Sequence, residues 1–181
     1  MQASTSFLTE LIHWLLSGSM TEAIAPVEPE ASEAPEAPTR RLLVFEVGGG
    51  VFASEMSAIR EIVPSQAVTR LPGAPPTVSG LINLRGTIVT VIDAGTCLRQ
   101  SHWRRTGGLI LLAGYGDGVI GVGIDDVRDI HDATEDQFGP RPSDVADGSA
   151  VCGVVEIAGE RVLLLDVPEM LREILGQGEA G

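Results

Sequence analysis

The stretch "GLINLRGTIVTVID", Gly80 to Asp93, decides how this chain is read. Two apolar runs rich in β-branched residues flank Arg85-Gly86, the pattern of two strands joined by a tight turn. The same statement recurs at a constant offset of 73 as "GVVEIAGERVLLLD", Gly153 to Asp166. Glycines, apolar positions and the closing aspartate coincide, but Ala158 stands where the first copy has Arg85.

The repeat extends outward. "LLVFEVGGGVFASEMSAIREIV" (Leu42–Val63) matches "ILLAGYGDGVIGVGIDDVRDIH" (Ile110–His131) at an offset of 68. The five additional residues fall in "HDATEDQFGPRPSDVADGSA", whose Gly, Pro and Asp content predicts a loop. One order of elements thus occurs twice: strand, glycine turn, strand, an Arg-bearing segment, a loop, then a hairpin ending in Asp. A period near 70 residues is too long for a solenoid and points to two similar subdomains. Each copy offers about five short strands, and closing such a set into a small barrel removes its exposed edges. At the end, "VPEMLREILG" (Val167–Gly176) places Met170, Leu171, Ile174 and Leu175 on one helical face, with Gly176 as the stop. The expected fold is all-β: two pseudo-repeated five-stranded barrels with a C-terminal helix.

Composition narrows the function. The 181 residues are 44% hydrophobic and poor in aromatics, enough for a substantial core. The formal net charge is −13, and all 12 basic residues are arginine, which reads as codon bias rather than function. A chain of this charge without a basic cluster is a poor ligand for nucleic acid or an anionic membrane. No run of 18 apolar residues exists, so no transmembrane helix is expected. Cys97 and Cys152 lack metal-ligand spacing; a structural disulfide stays open, and two reduced, buried thiols are the favoured reading.

Residues 1–39 differ from the rest. Glu10, Glu22, Glu28, Glu30, Glu33 and Glu36 face no arginine, and "TEAIAPVEPEASEAPEAPT" buries too little to order itself, predicting a disordered acidic tail. Phe7 to Leu16 has helical apolar spacing. A marginal helix, sequence upstream of a start at Met20, and a docking helix on a leash all fit it. "FLTELIHWLL" lacks the basic leader and cleavage site of a signal peptide.

Enzymatic constellations are missing. His13, His102 and His131 have no partners at metal spacing, and neither GxSxG nor a phosphate-binding GxxxxGK[ST] occurs. Asp125, Asp126 and Asp129 read as a solvated, partly ion-paired face, and Asp93 and Asp166, present in both copies, read as strand-end devices. Because Ala158 shows that the hairpin forms without a guanidinium, turn geometry alone does not justify Arg85. A solubilising arginine and a recognition residue with a planar, five-donor head both remain open.

These residues resemble the CheW family, the adaptor proteins of bacterial chemotaxis arrays. The resemblance is carried by Phe45–Gly48, "IREI" (Ile59–Ile62), the stretch Leu71–Gly80, "NLRG" (Asn83–Gly86) and "VID" (Val91–Asp93), and covers roughly residues 40–176. It implies two interleaved SH3-like barrel subdomains over 40–176, with repeat halves about 42–93 and 110–166, and a short tail at 177–181. It also implies a cytoplasmic coupler without catalytic residues, metal or cofactor. Such a coupler bridges the cytoplasmic tip of chemoreceptors to the regulatory domain of a CheA-like histidine kinase and is recruited to membrane-associated arrays without inserting in the membrane. Receptor helices are expected against an apolar groove between the barrels. By matching motif, the partner-binding residues are Arg85, Leu84, Asn83, Gly80, Ile59 and Glu61. Thr90 and Ala94 depart from the usual proline and leucine, Ser54-Glu55 from an apolar-proline pair, and the acidic extension lies outside the family pattern. These departures leave open a specialised paralogue for a different pathway. A regulatory-domain fragment of a CheA-like kinase stays open too, as does, on the Asp125 group alone, a metal-dependent enzyme.

Overall fold

A computed structural model describes residues 38–143, 145 and 150–176. The expected acidic tail, the helix at 7–16 and the tail at 177–181 lie outside the described residues, apart from Pro38 and Thr39. The strands are β1 (Thr39–Val47), β2 (Gly50–Glu55), β3 (Ile59–Pro64), β4 (Val78–Leu84), β5 (Thr87–Asp93), β6 (Leu109–Tyr115), β7 (Gly118–Ile124), β8 (Asp126–Thr134), β9 (Phe138–Pro140), β10 (Val151–Ile157) and β11 (Glu160–Leu165). A one-turn helix α1 (Ala94–Cys97) follows β5, and α2 (Val167–Gly176) spans the expected helical segment.

The repeat is present residue by residue, but neither copy closes its own barrel. One sheet runs β8-β1-β2-β11-β10-β9 and the other β3-β6-β7-β5-β4. Each therefore takes a hairpin from one copy and the Arg-bearing strand and closing hairpin from the other. Antiparallel β1–β8 is matched by β3–β6, and the parallel seam β2–β11 by β5–β7. Register shifts coincide too. The β1–β8 ladder slips between Val44 and Phe45 opposite Arg128, and the β3–β6 ladder slips at Arg60, its counterpart. Such bulges bend a strand and re-aim one side chain.

Burial explains the exchange. Leu42, Leu43, Val44 and Phe45 are all buried, so β1 is covered on both faces and reads as an unbroken apolar run. Leu42 and Val44 join Ala53, Ala133, Val155, Val162 and Leu164 inside the first sheet. Leu43, Phe45 and Val47 join the larger core with Ile82, Val91, Ile110, Trp103 and, from α2, Met170 and Leu171. The segment expected as a loop after Ile130 is partly ordered instead. His131–Thr134 extends β8 along β1, and Phe138–Pro140 pairs with β10, because tertiary pairing overrides the local turn composition.

Gly80 marks a close approach. It is buried at φ 139, and a Cβ there would lie 2.2 Å from the Thr69 carbonyl oxygen, where Thr69 and Leu81 exchange two backbone hydrogen bonds of 2.8 Å. This bridge stands in the second sheet where β9 stands in the first.

Two outcomes follow from this architecture. Residues 38–97 expressed alone should show no cooperative unfolding by circular dichroism, because β1–β2 lack β8 and β11; a folded fragment would contradict the exchange. Gly80→Ala should cost more than about 2 kcal/mol in urea unfolding, combining backbone strain with the clash.

Candidate functional site

The residues expected at the partner face sit at one seam of the second sheet. Arg85 and Gly86 form its two-residue turn, at φ 52 and 89, between Leu84 and Thr87. Ala158 and Gly159 adopt φ 52 and 81 in the twin hairpin. A non-glycine residue therefore bears the same left-handed strain in both copies, on the order of 1 kcal/mol. The Asn83 side-chain oxygen accepts the Gly86 N–H at 2.8 Å, so Asn83 fixes the turn that carries Arg85.

Arg85 reaches across to β3. Its Nη2 donates to Glu61 Oε1 at 2.7 Å and its Nη1 to Oε2 at 3.4 Å. In sheet order, β3 and β4 are opposite edges, which in a flat sheet would lie about 19 Å apart at the usual strand spacing. The contact shows that the sheet curls until its edges face each other. Arg85 remains 74% exposed, and an ion pair this open contributes under about 1 kcal/mol, so the guanidinium is held in place without being consumed by the fold.

The six expected residues divide by placement. Arg85 and Glu61 are brought together, and Asn83 supports them. Leu84 and Ile59 are half-buried and pack against the large core, so each presents an edge only. Gly80 is buried and shapes the β4 backbone rather than offering a surface. A residue outside the motif joins them: Ile88 lies opposite Asn83 on β5 and is 63% exposed. Its repeat counterpart is Arg161, and that difference between the copies is the signal in the sequence that could have found it. Leu71, in the same half of the repeat, is exposed as well.

Other chemical candidates are absorbed by the fold. Asp93 is 1% exposed; its Oδ1 accepts the Thr96 N–H at the start of α1, and its Oδ2 lies 2.7 Å from His102 Nδ1. Asp166 likewise accepts the Glu169 N–H at 2.8 Å at the start of α2. Both aspartates are helix caps at strand ends. Of the Asp125 group, expected as a solvated, partly ion-paired face, Asp126 and Asp129 are exposed as expected, but Asp125 is half-buried and none of the three pairs with Arg128. Asp125 accepts the backbone N–H groups of Gly48 and Arg104, and Asp126 and Asp129 each accept the next residue's N–H. Arg128 turns to Glu46 instead. Each carboxylate is thus occupied in tying backbone. Cys97 and Cys152 are free thiols, but Cys152 is exposed on β10 rather than buried as expected; burial, reinforced by Asp93, pushes Cys97 up to about 12, which removes it as a thiolate nucleophile at neutral pH. Among the described residues no cluster of His, Cys, Asp and Glu has the geometry to hold a metal, and no helix is long and apolar enough to cross a membrane. An open depression of about 330 Å³ beside Ser65, Gln66 and Thr106 has Arg105 as its one titratable lining side chain.

Comparison with known proteins agrees with this arrangement. A family model described as "CheW-like domain" matches residues 41–175. A "Chemotaxis protein CheW" of Rhizobium meliloti (strain 1021) is 31% identical over 131 residues, covering 71% of this chain and 84% of that protein. Another, from Bacillus subtilis (strain 168), is 28% identical over 128 residues, covering 70% and 81%. Among solved structures, the scaffolding protein TtCheW from Thermoanaerobacter tengcongensis superposes with a TM-score of 0.66 at 20% identity, over 74% of this chain and 93% of that one. Fold, repeat and family model converge: the chain belongs to the CheW-like family.

Proposed function

We propose that this protein is a non-catalytic adaptor that couples chemoreceptors to a CheA-type histidine kinase in chemotaxis signalling. It works in the cytoplasm and joins membrane-associated receptor arrays through its partners. Family membership supports the reading, as do relatives named chemotaxis proteins and a structural neighbour titled a scaffolding protein. Its partners are the regulatory domain of the kinase and the cytoplasmic tip of the receptor.

One observation carries the assignment of the surface. Two hairpins share the same turn dihedrals, yet one adds an exposed guanidinium and an exposed isoleucine where the other has alanine and arginine. Stability does not ask for either addition. An exposed apolar side chain beside a planar donor group is the composition of a protein-binding anchor, and arginine is favoured where it can address carboxylates in a fixed plane. Glu61 pre-positions that group. Holding it in advance lowers the ordering cost that association must otherwise meet. Asn83 and Gly86 keep the tip in one conformation, so the anchor is presented on a rigid element.

Arg85→Ala rebuilds the twin turn and Arg85→Glu reverses the charge beside Glu61. Both should keep the wild-type unfolding midpoint to within about 1 kcal/mol, because the exposed pair contributes little. Arg85→Glu should weaken binding to the kinase regulatory domain or the receptor tip by about tenfold, the equivalent of 1.4 kcal/mol. Calorimetry against each partner, with circular dichroism as the folding control, reads this directly. Unchanged affinity for both partners would strip Arg85 of its role.

A further inference from the structure

The internal repeat contains a second asymmetry, at the bulge of β3. Arg128 in β8 and Arg60 in β3 are counterparts, and each occupies the extra residue of an equivalent bulge against the neighbouring hairpin strand. Arg128 is aimed at position 46 of β1, where it finds the Glu46 carboxylate and forms an ion pair. Arg60 is aimed at the matching position of β6, and that position is Gly114. A Cβ built on Gly114 would lie 2.8 Å from Arg60 Nη2 and 2.9 Å from its Nε, so the guanidinium rests directly over the bare glycine backbone. Arg60 is exposed and has no hydrogen bond or ion pair with any described residue.

We propose that Arg60 receives a carboxylate from a docked partner, an Asp or Glu carried on a helix. The inference rests on the adaptor reading above, and within it the source is the receptor tip. Three features lead there. The twin site shows that this bulge presents an arginine to a carboxylate and that the fold accepts the pair at that place. Gly114 has no side chain, so no group on β6 competes there for the donors of the guanidinium that lies over it. β3 ends the sheet in strand order, but its outer side faces β4 across the Glu61–Arg85 seam, which leaves no edge for an added strand. A partner therefore engages this strand through side chains, as a helix does, rather than by extending the sheet. Arg60 lies over Gly114 of β6 whereas Glu61 meets Arg85 across the seam, so the carboxylate Arg60 takes is distinct from the group addressed by Arg85.

The chain itself supplies the means to close the site. Gly114 has an ordinary backbone conformation, and the atoms nearest a new Cβ are the movable tip of Arg60. Gly114→Glu should therefore rebuild the Glu46–Arg128 pair in the second sheet and occupy Arg60 from within. Arg60→Ala removes the guanidinium, and Gly114→Ala adds a methyl group without charge. Binding of the full chain to a helical receptor-tip fragment and, separately, to the kinase regulatory domain is measured at about 50 and 200 mM salt. Arg60→Ala and Gly114→Glu should each weaken receptor-tip binding by about fivefold or more and flatten its salt dependence, while Gly114→Ala stays near wild type. If Gly114→Glu does not fold, Arg60→Ala alone decides, because its side chain is exposed. Wild-type binding that neither variant alters overturns this inference and leaves the adaptor reading standing. A loss confined to the kinase domain overturns the helical receptor as the source. A wild-type chain that binds neither partner overturns the adaptor reading itself.

Discussion

The antiparallel pairing of β1 with β8, mirrored by β3 with β6, is the constraint on which this molecule depends. Each copy of the repeat builds a hairpin that is covered only when the other copy's Arg-bearing strand comes to lie beside it. β1 shows why the arrangement is stable. Its four central residues are buried on both faces, and side chains of that size contribute roughly 1.5 to 3 kcal/mol each when removed from water. A barrel built from one copy alone would leave one of those faces wet. The exchange merges two small cores into a structure whose larger core includes residues from both sheets and from α2. Its kinetic consequence is that partners such as Leu42 and His131 are about 90 residues apart, the kind of pairing that delays folding until long loops have closed.

Much of this is legible in the chain because duplication is a statement about sequence. Offsets of 68 and 73 separate the elements, glycine-bearing turns place the hairpins, and four apolar residues at helical spacing locate α2 to its observed bounds. What stays hidden is which copy each strand joins. Both copies carry the same inward pattern, so closure within a copy and exchange between copies satisfy the same periodicity. Only the summed burial of the whole domain discriminates, and no window of sequence contains it. The stretch after Ile130 misleads for a related reason: its turn-rich composition is real, but β1 and β10 offer ladders that outweigh it.

The candidate site is legible to a lesser depth. The motif points to Asn83, Arg85 and Glu61, and the structure brings them together. Their contact crosses a seam that exists only because the sheet curls, so nothing in the spacing from 61 to 85 announces it. Gly80 travels in the same stretch and so shares their motif without sharing their surface. A glycine gives no side chain to read, and its reason, the Thr69 carbonyl beneath it, lies on a segment with no periodic signal. Asp125 departs from the solvated face that Asp126 and Asp129 keep, because nothing local shows that Gly48 and Arg104 turn their N–H groups toward it.

A duplicated fold also provides its own control. When two copies share dihedrals, bulges and seams, a difference between them is not required by the backbone and must answer to something outside it. Three arginines of the first sheet, Arg40, Arg41 and Arg128, are engaged by Glu55, Asp132 and Glu46, and Arg40 also lies 4.2 Å from the centre of the Phe138 ring. The second sheet turns outward: Arg85 is anchored but exposed, Ile88 stands in solvent, and Arg60 covers a glycine. The contrast is one of charge, since the first sheet also exposes a large apolar side chain, Ile130 of β8. Two fused barrels of the same architecture can thus differ in surface without any change of fold, because substitutions at the turn tip, the hairpin face and the bulge leave the matching ladders in register.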